Sequence, residues 1–232
     1  MLTGALALEP VAIPPFSAAR PGGALPHGWR EALLPNKKPP EFALVADEGT
    51  TVLRVRSSAA VGSLTHRFLL PADETTTLSW RWKVEHVLEK ARLGTKEGDD
   101  FAARVYVSFD VPMESLSLSE RARIKLAKLI YGADLPTAAI CYVWDNHSPV
   151  GTSIWNPYTD RLRMVVLESG NARARQWVAE TRNLDADFQA AFGAQWGKAT
   201  PRITGVAVSV DTDQTLESAT AWFGDFRIEA RR

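Results

Sequence analysis

The sequence predicts an all-β fold, namely a two-layer antiparallel β-sandwich of the jelly-roll type with one inserted amphipathic helix and one short helix. Several segments alternate apolar and polar side chains with a period of two, which is typical of strands. Strands and helices do not alternate along the chain, so the parallel sheet of an α/β protein is not expected. The eight tryptophans suit a sandwich core, which favours large aromatic side chains.

The clearest predicted strand covers residues 101–109. Its apolar residues, from Phe101 to Phe109, alternate with a polar set that contains Arg104 and Tyr106. We expect the apolar set to be buried between the two sheets. The remaining predicted strands cover residues 41–46, 51–55, 62–70, 75–84, 138–144, 161–168, 176–182, 203–210 and 220–228.

Two segments have helical features instead. A capping box that starts at Ser117 begins an amphipathic helix predicted over residues 117–131. A shorter helix is predicted at residues 185–192, with Asp185 as its N-cap and Gly193 at its end.

Residues 10–40 are rich in proline, which disfavours regular structure. We expect this segment to wrap the surface and to be anchored by Phe16 and Trp29. Residues 1–232 then form a single β-sandwich domain, with residues 1–40 as its extended N-terminal wrap.

Composition argues against several classes of partner. Lys plus Arg and Asp plus Glu both number 27, so no general attraction to nucleic acid or to an anionic membrane is expected. Apolar runs fall short of the roughly 20 residues that span a bilayer, so no transmembrane segment is predicted. Cys141 is the single cysteine and lies in an apolar strand, where a buried thiol is expected rather than a nucleophile. Phosphate-loop, nucleophile-elbow and zinc-protease motifs are missing from the sequence.

The first residues bear on localisation. Ala5-Leu6-Ala7 resembles the small-residue cleavage site of an export signal, although a basic region and a full apolar run do not precede it. One interpretation is an incomplete signal peptide, which predicts a periplasmic or secreted protein. The other is a simple frayed N-terminus.

The first group of candidate site residues is centred on the strand at residues 101–109. Arg104 and Tyr106 share the polar phase of this strand, about 6–7 Å apart. We predict that they line a groove on the outer, concave face of their sheet, with Tyr142, Trp144 and Glu180 as neighbours. The alternative is that Arg104 is buried and paired with a carboxylate such as Glu180.

The second group follows the strand at residues 138–144. Asp145, Asn146 and His147 come where this strand ends, next to the aromatic side chains of Tyr142 and Trp144. Planar polar groups beside aromatic rings suit carbohydrate, because rings stack on sugar C–H faces while polar groups bind hydroxyls. The alternative is that Asp145 and Asn146 form a turn and the aromatic side chains fill the end of the sandwich.

Four blocks in order resemble the bacterial domain-of-unknown-function family numbered three thousand and forty-seven. They are GDDFAARVYVSFD, YVWDN, RNLDADFQAAFG and the VSVDTDQT…AWFGDFRI ending, and the resemblance covers Phe16 to Ile228. The family has no established activity, so no catalytic residue follows from it. The resemblance implies a bacterial protein that is usually exported.

The closing AWFGDFRIE is also similar to the last strand of galactose-binding-like jelly rolls. In those folds a structural calcium ion often sits near the first and last strands. The resemblance implies Glu9 and Asp225 as the positions that match such a site. No other cofactor is predicted.

Two classes of function fit these observations, and a third is less specific. The first is a non-catalytic binding module of the bacterial cell envelope, for a glycan or a similar polar ligand, and the lack of a catalytic motif favours it. The second is a polysaccharide lyase or hydrolase on the same fold. A lyase would use Arg104 with Tyr106 or His147, and a hydrolase would use a carboxylate pair such as Asp145 and Glu180. The third is a structural envelope protein.

Overall fold

The computed structural model describes residues 13–112, 118, 121, 136–197 and 199–230. The helix predicted at residues 117–131 lies outside this range apart from Leu118 and Arg121. The described strands form two sheets, which confirms the predicted all-β sandwich. The seven-stranded sheet has the spatial order β1 (Trp29–Leu33), β4 (Gly62–Leu70), β11 (Arg202–Asp211), β6 (Phe101–Asp110), β7 (Ala138–Asp145), β9 (Thr159–Ser169) and β8 (Ser153–Asn156).

The second sheet has six strands. Its order is β10 (Val178–Asn183), β5 (Thr77–Val84), β12 (Ser218–Phe223), β3 (Thr50–Ser58) and β2 (Glu41–Asp47), with β13 (Arg227–Glu229) also paired to β5. Neighbouring strands in the two sheets are antiparallel except β7 and β9, which run parallel. In the described part of the chain, no helix is long and apolar enough to cross a membrane.

Aromatic side chains from both sheets meet in the core. Trp82 of β5 lies 5.7 Å from Trp144 of β7, measured between ring centroids. The ring centroids of Trp80 and Tyr142 lie 5.4 Å apart. Val105, Val107 and Phe109 of β6 are buried in this core, as the alternation predicted.

Phe101 is buried as well, but on the other face of β6. The register between β6 and β11 shifts between Ser209 and Asp211, which breaks the period of two near the start of β6. The Phe101 ring therefore lies 4.7 Å from the guanidinium carbon of Arg104 and joins a second apolar cluster with Cys141. The alternation alone predicts Phe101 between the sheets, because a bulge leaves no signal in it.

The shorter helix, α1 (Leu184–Trp196), begins and ends differently from the prediction. Its N-cap is Asn183, whose side-chain oxygen accepts the N–H of Ala186 at 2.8 Å, rather than Asp185. The helix continues past Gly193 because Trp196 stacks on Phe192, with ring centroids 4.7 Å apart.

The proline-rich segment contains strand β1, which was not predicted. β1 pairs with β4 along the edge of the seven-stranded sheet. The rings of Phe16 and Trp29 lie 4.8 Å apart, and both side chains are buried.

Candidate ligand-binding site

Arg104 is buried on the outer face of the seven-stranded sheet, with 3% of its surface exposed. Its Nε lies 3.4 Å from a carboxylate oxygen of Asp211, and its Nη2 lies 3.5 Å from one of Asp99. Its guanidinium also donates to the Tyr106 hydroxyl at 3.1 Å. The buried, paired alternative therefore describes Arg104, but its partners are Asp99 and Asp211 and not Glu180.

Burial changes the acidity of the groups around Arg104. It raises the pKa of the Tyr106 phenol, an effect that the guanidinium opposes. It also raises the pKa of Asp211 to about 6, again against the attraction of Arg104. The ion pairs of Arg104 with Asp99 and Asp211 are buried and form a structural network with little access for a ligand.

A connecting segment closes this outer face. Residues 85–100 join β5 to β6, and Leu93 of this segment packs with Ile154 of β8 on the apolar cluster around Cys141. We call residues 85–100 the covering segment. Gly94 lies so close to β8 that an added Cβ would be 2.9 Å from Ile154.

Asn146 fixes the covering segment in place. Its side-chain amide donates to three backbone carbonyls at 2.9–3.2 Å, those of Leu88, Glu89 and Ala91. The Tyr158 hydroxyl donates to the carbonyl of Lys96 at 3.0 Å. The structure therefore places Asn146 in a clamp for this segment.

Asp145 and His147 belong to a turn. Asp145 is fully buried, and its carboxylate accepts the backbone N–H groups of His147 at 3.3 Å and Ser148 at 2.7 Å. One ring nitrogen of His147 lies 2.5 Å from the side-chain oxygen of Asn146. Asp145 therefore forms the turn that is the alternative to a ligand site at this position.

The register of β6 and β7 separates the predicted neighbours. Tyr142 is paired with Val105, and Arg104 is paired with Val143. Directly opposed residues of an antiparallel pair point to the same side. Tyr142 and Trp144 therefore point into the core, away from Arg104, which corrects the predicted grouping. The Tyr142 hydroxyl donates to Asp187 of α1 at 2.6 Å.

Glu180 lies apart from this network, on edge strand β10 opposite Trp80. It accepts the indole N–H of Trp82 at 3.3 Å. Burial raises the pKa of Glu180 to about 7, and the negative charge of Glu168 on β9 adds to this effect. The carboxylate of Glu168 is itself paired with Arg173 at 2.6 Å. A carboxyl group with this pKa exchanges a proton near neutral pH.

The predicted calcium positions are placed only in part. Glu9 lies outside the described residues. The carboxylate of Asp225 accepts the backbone N–H of Ser17 at 3.0 Å and the Ser17 hydroxyl at 2.5 Å. Within the described residues, no group of three or more His, Cys, Asp or Glu side chains is arranged to hold a metal ion. Structural calcium stays a prediction.

The outer face of the six-stranded sheet presents a different arrangement. The Lys83 ammonium lies 5.0 Å from the ring centroid of Trp177 and 4.9 Å from that of Trp222. The Arg81 guanidinium lies 4.4 Å from the Trp177 ring. We call these four residues the aromatic-basic face. Both indoles are partly exposed, and sequence reasoning did not include them among the candidate site residues.

Strand alternation and register assemble the aromatic-basic face. Trp80 and Trp82 of β5 point into the core, so Arg81 and Lys83 point outward, and Trp222 is paired with Lys83. Gly224 leaves room for Arg81, because an added Cβ would lie 2.6 Å from the Arg81 Cγ. The outward phase of Arg81 and Lys83 is readable from the sequence, whereas their contact with two indoles depends on the pairing of separate strands.

Charges on this face are unevenly paired. The carboxylate of Asp47 binds Lys83 and also accepts the Trp177 indole N–H at 3.4 Å. Among the described residues, no hydrogen-bond or ion-pair partner is seen for the Arg81 guanidinium. A cation held against an indole with its donors unpaired can bind an oxygen-rich ligand.

One family profile matches most of the chain. The family is described as "Protein of unknown function (DUF3047)", and the match covers residues 27–227. No curated protein matches the chain in sequence.

Several solved structures resemble the fold at low sequence identity. The xyloglucanase domain of NopAA, a type three effector from Sinorhizobium fredii solved with cellobiose, has a TM-score of 0.46 and 9% identity, over 88% of this chain and 93% of that one. The family 11 carbohydrate-binding module of Lic26A-Cel5E from Clostridium thermocellum has a TM-score of 0.43 and 7% identity, over 90% of each chain. A family 12 xyloglucanase from Bacillus licheniformis has a TM-score of 0.42 and 9% identity, over 90% of this chain and 89% of that one. At such low TM-scores and identities these similarities give no argument about function.

Proposed function

The chain belongs to the DUF3047 family of proteins of unknown function, and we propose that it is a non-catalytic module that binds a glycan or a similar polar ligand. The observation that carries this proposal is the pair of partly exposed indoles, Trp177 and Trp222, on either side of Lys83. In this proposal the aromatic-basic face is the binding surface. The location of the protein, in the periplasm or outside a bacterial cell, stays a prediction from the sequence.

The chemistry of this face suits a sugar ring. An indole offers a flat apolar surface for the C–H groups of a sugar, and it loses little conformational entropy on binding. The neighbouring ammonium and guanidinium groups donate hydrogen bonds to ring and hydroxyl oxygens. Lys83 and Trp177 are already held by Asp47, so the surface is organised before a ligand arrives.

The test begins with a glycan array on the wild-type chain, followed by titration calorimetry of the best oligosaccharide with Trp222→Ala. We expect the affinity to fall about thirtyfold, because removal of an aromatic anchor costs about 2 kcal/mol or more. Trp155→Ala is the matched control, since Trp155 is 37% exposed and lies under Arg163 on the other sheet. The proposal fails if the chain binds no glycan on the array, or if both variants bind as tightly as the wild type.

A polysaccharide-active enzyme is the second candidate, and the raised pKa of Glu180 beside Glu168 favours it. In this case Glu180 is the proton donor or acceptor. Incubation with a panel of polysaccharides, followed by measurement of released reducing ends, tests it. Activity that Glu180→Gln abolishes, while Trp155→Ala retains it, would establish the enzyme; product release that both variants retain would exclude Glu180.

A further inference from the structure

A groove of about 350 Å³ lies beside the aromatic-basic face on the outer side of the six-stranded sheet. Its volume is at the small end of the range for small-molecule sites, roughly 300–1,000 Å³. Its lining includes two cations, two carboxylates, an imidazole and three hydroxyls, which belong to Lys38, Arg56, Glu41, Glu85, His86, Ser58, Ser218 and Thr220.

Arg56 is the main reason to expect a ligand in this groove. Its side chain is exposed, and in the described part of the chain its guanidinium has no hydrogen-bond or ion-pair partner. Its cross-strand neighbour Glu41 is bound to Arg54 at 2.8 Å and so does not neutralise Arg56. Five N–H donors on a planar group are therefore available inside the groove.

The other lining groups add positive charge and hydroxyls. The Lys38 ammonium donates one hydrogen bond, to the carbonyl of Ser58 at 2.9 Å, which leaves two of its protons. A ring nitrogen of His86 lies 3.2 Å from the carbonyl oxygen of Ser218. Two carboxylates line the groove, and Glu41 is already in an ion pair with Arg54. The single charge of Glu85 is then outnumbered by the two positive charges of Arg56 and Lys38. The balance of unpaired charge favours an anion.

The groove continues the aromatic-basic face. Thr220 and Trp222 share the outward phase of β12 and are therefore about 6–7 Å apart along the strand. Thr220 is paired with Arg56 on β3. A glycan that runs along β12 with one ring stacked on Trp222 would place its next unit above the groove.

We infer that the groove is a subsite for a carboxylate-bearing sugar unit, a uronic acid, with Arg56 binding the carboxylate through two parallel N–H donors. The Ser218 hydroxyl donates to that of Ser58 at 2.9 Å, so the hydroxyls of Ser58 and Thr220 are the ones that donate to the remaining oxygens of the ring. This inference rests on the proposed function, because the same ligand chain occupies both surfaces. It assigns acidic rather than neutral glycans as the preferred class.

The experiment compares an oligogalacturonate with a neutral cello-oligosaccharide of equal length, on the wild type, Arg56→Gln and the control Arg30→Gln. Arg30 is exposed on the other sheet, so its variant makes the same charge change away from the groove. We expect Arg56→Gln to lose about tenfold in affinity for the acidic chain alone. Wild-type affinity for the acidic chain should also fall between about 0.01 M and about 1 M salt, as the Debye length shrinks from about 30 Å to about 3 Å.

An NMR titration with sodium glucuronate separates this inference from the proposed function. Glucuronate should shift the amide signals of Arg56, Ser58, Ser218 and Thr220 in the wild type and much less in Arg56→Gln. If no oligosaccharide binds but these shifts occur, the proposed function is wrong and the carboxylate subsite is supported. Absence of the shifts, or equal affinity of wild type and Arg56→Gln for the acidic chain, would overturn the subsite.

Discussion

The outer faces of the two sheets carry similar side chains but differ in solvent exposure. On the seven-stranded sheet, Arg104 and Tyr106 lie beneath the covering segment, and the guanidinium is surrounded by Asp99 and Asp211. On the six-stranded sheet, Arg81 lies against a partly exposed indole with no carboxylate partner in the described residues. The alternation of a strand therefore predicts on which side of the sheet a cationic side chain lies. It does not predict whether another segment of the chain covers that side.

The largest effect that tests this comparison is expected at Arg104. Arg104→Met leaves Asp99 and Asp211 buried without their cation, which should lower the free energy of unfolding by about 3–5 kcal/mol. Urea denaturation measures this loss. Arg104→Met combined with Asp211→Asn should recover part of it, because one uncompensated carboxylate is then neutral.

Arg81→Met is the matched variant on the open face. It should change the free energy of unfolding by less than about 1 kcal/mol, since the lost group is a solvent-accessible cation. Similar losses for Arg81→Met and Arg104→Met would show that the two faces do not differ in the way the structure indicates.

A pH-dependent effect is expected at Glu180, which lies on the edge strand β10. Its pKa is raised to about 7 in the fold, so the folded state holds this proton more tightly than the unfolded state. Stability from this group is therefore complete below the ordinary glutamate pKa, about 4.3, and is lost as pH rises toward 7.

Urea midpoints measured across this range should fall more steeply for the wild type than for Glu180→Gln. The difference between the two curves isolates Glu180 from Asp211, whose pKa is also raised, to about 6. Gln keeps an oxygen that can accept the Trp82 indole N–H, so the hydrogen bond remains as a control. Parallel curves would show that the pKa of Glu180 is the same in the folded and unfolded chain.

Strand faces were largely predictable from the sequence, because the period of two is a local property. Val105 and Val107 are buried, as the alternation of residues 101–109 indicated. Phe101 escaped this reasoning because the bulge that turns it outward arises from pairing with β11.

The candidate site was much harder to predict, since it depends on how distant segments meet. The sequence groups Tyr142 with Arg104 because the alternation assigns both to the polar phase of their strands. The pairing register of β6 and β7 separates them, and it cannot be derived from either strand alone. Asn146 was expected on a ligand surface, yet its amide serves backbone carbonyls of the covering segment. Trp222 was missed because its contact with Lys83 depends on the pairing of β12 with β5.

The position of Cys141 gives the chain an internal reporter of the covering segment. The thiol is fully buried opposite Tyr106, and burial raises its pKa to about 12. Alkylating reagents attack the thiolate, so labelling of Cys141 requires an opening that admits water to the apolar cluster on which Leu93 and Ile154 pack. The labelling rate of the native protein thus measures how often the covered outer face opens to water, without a probe being added to the molecule.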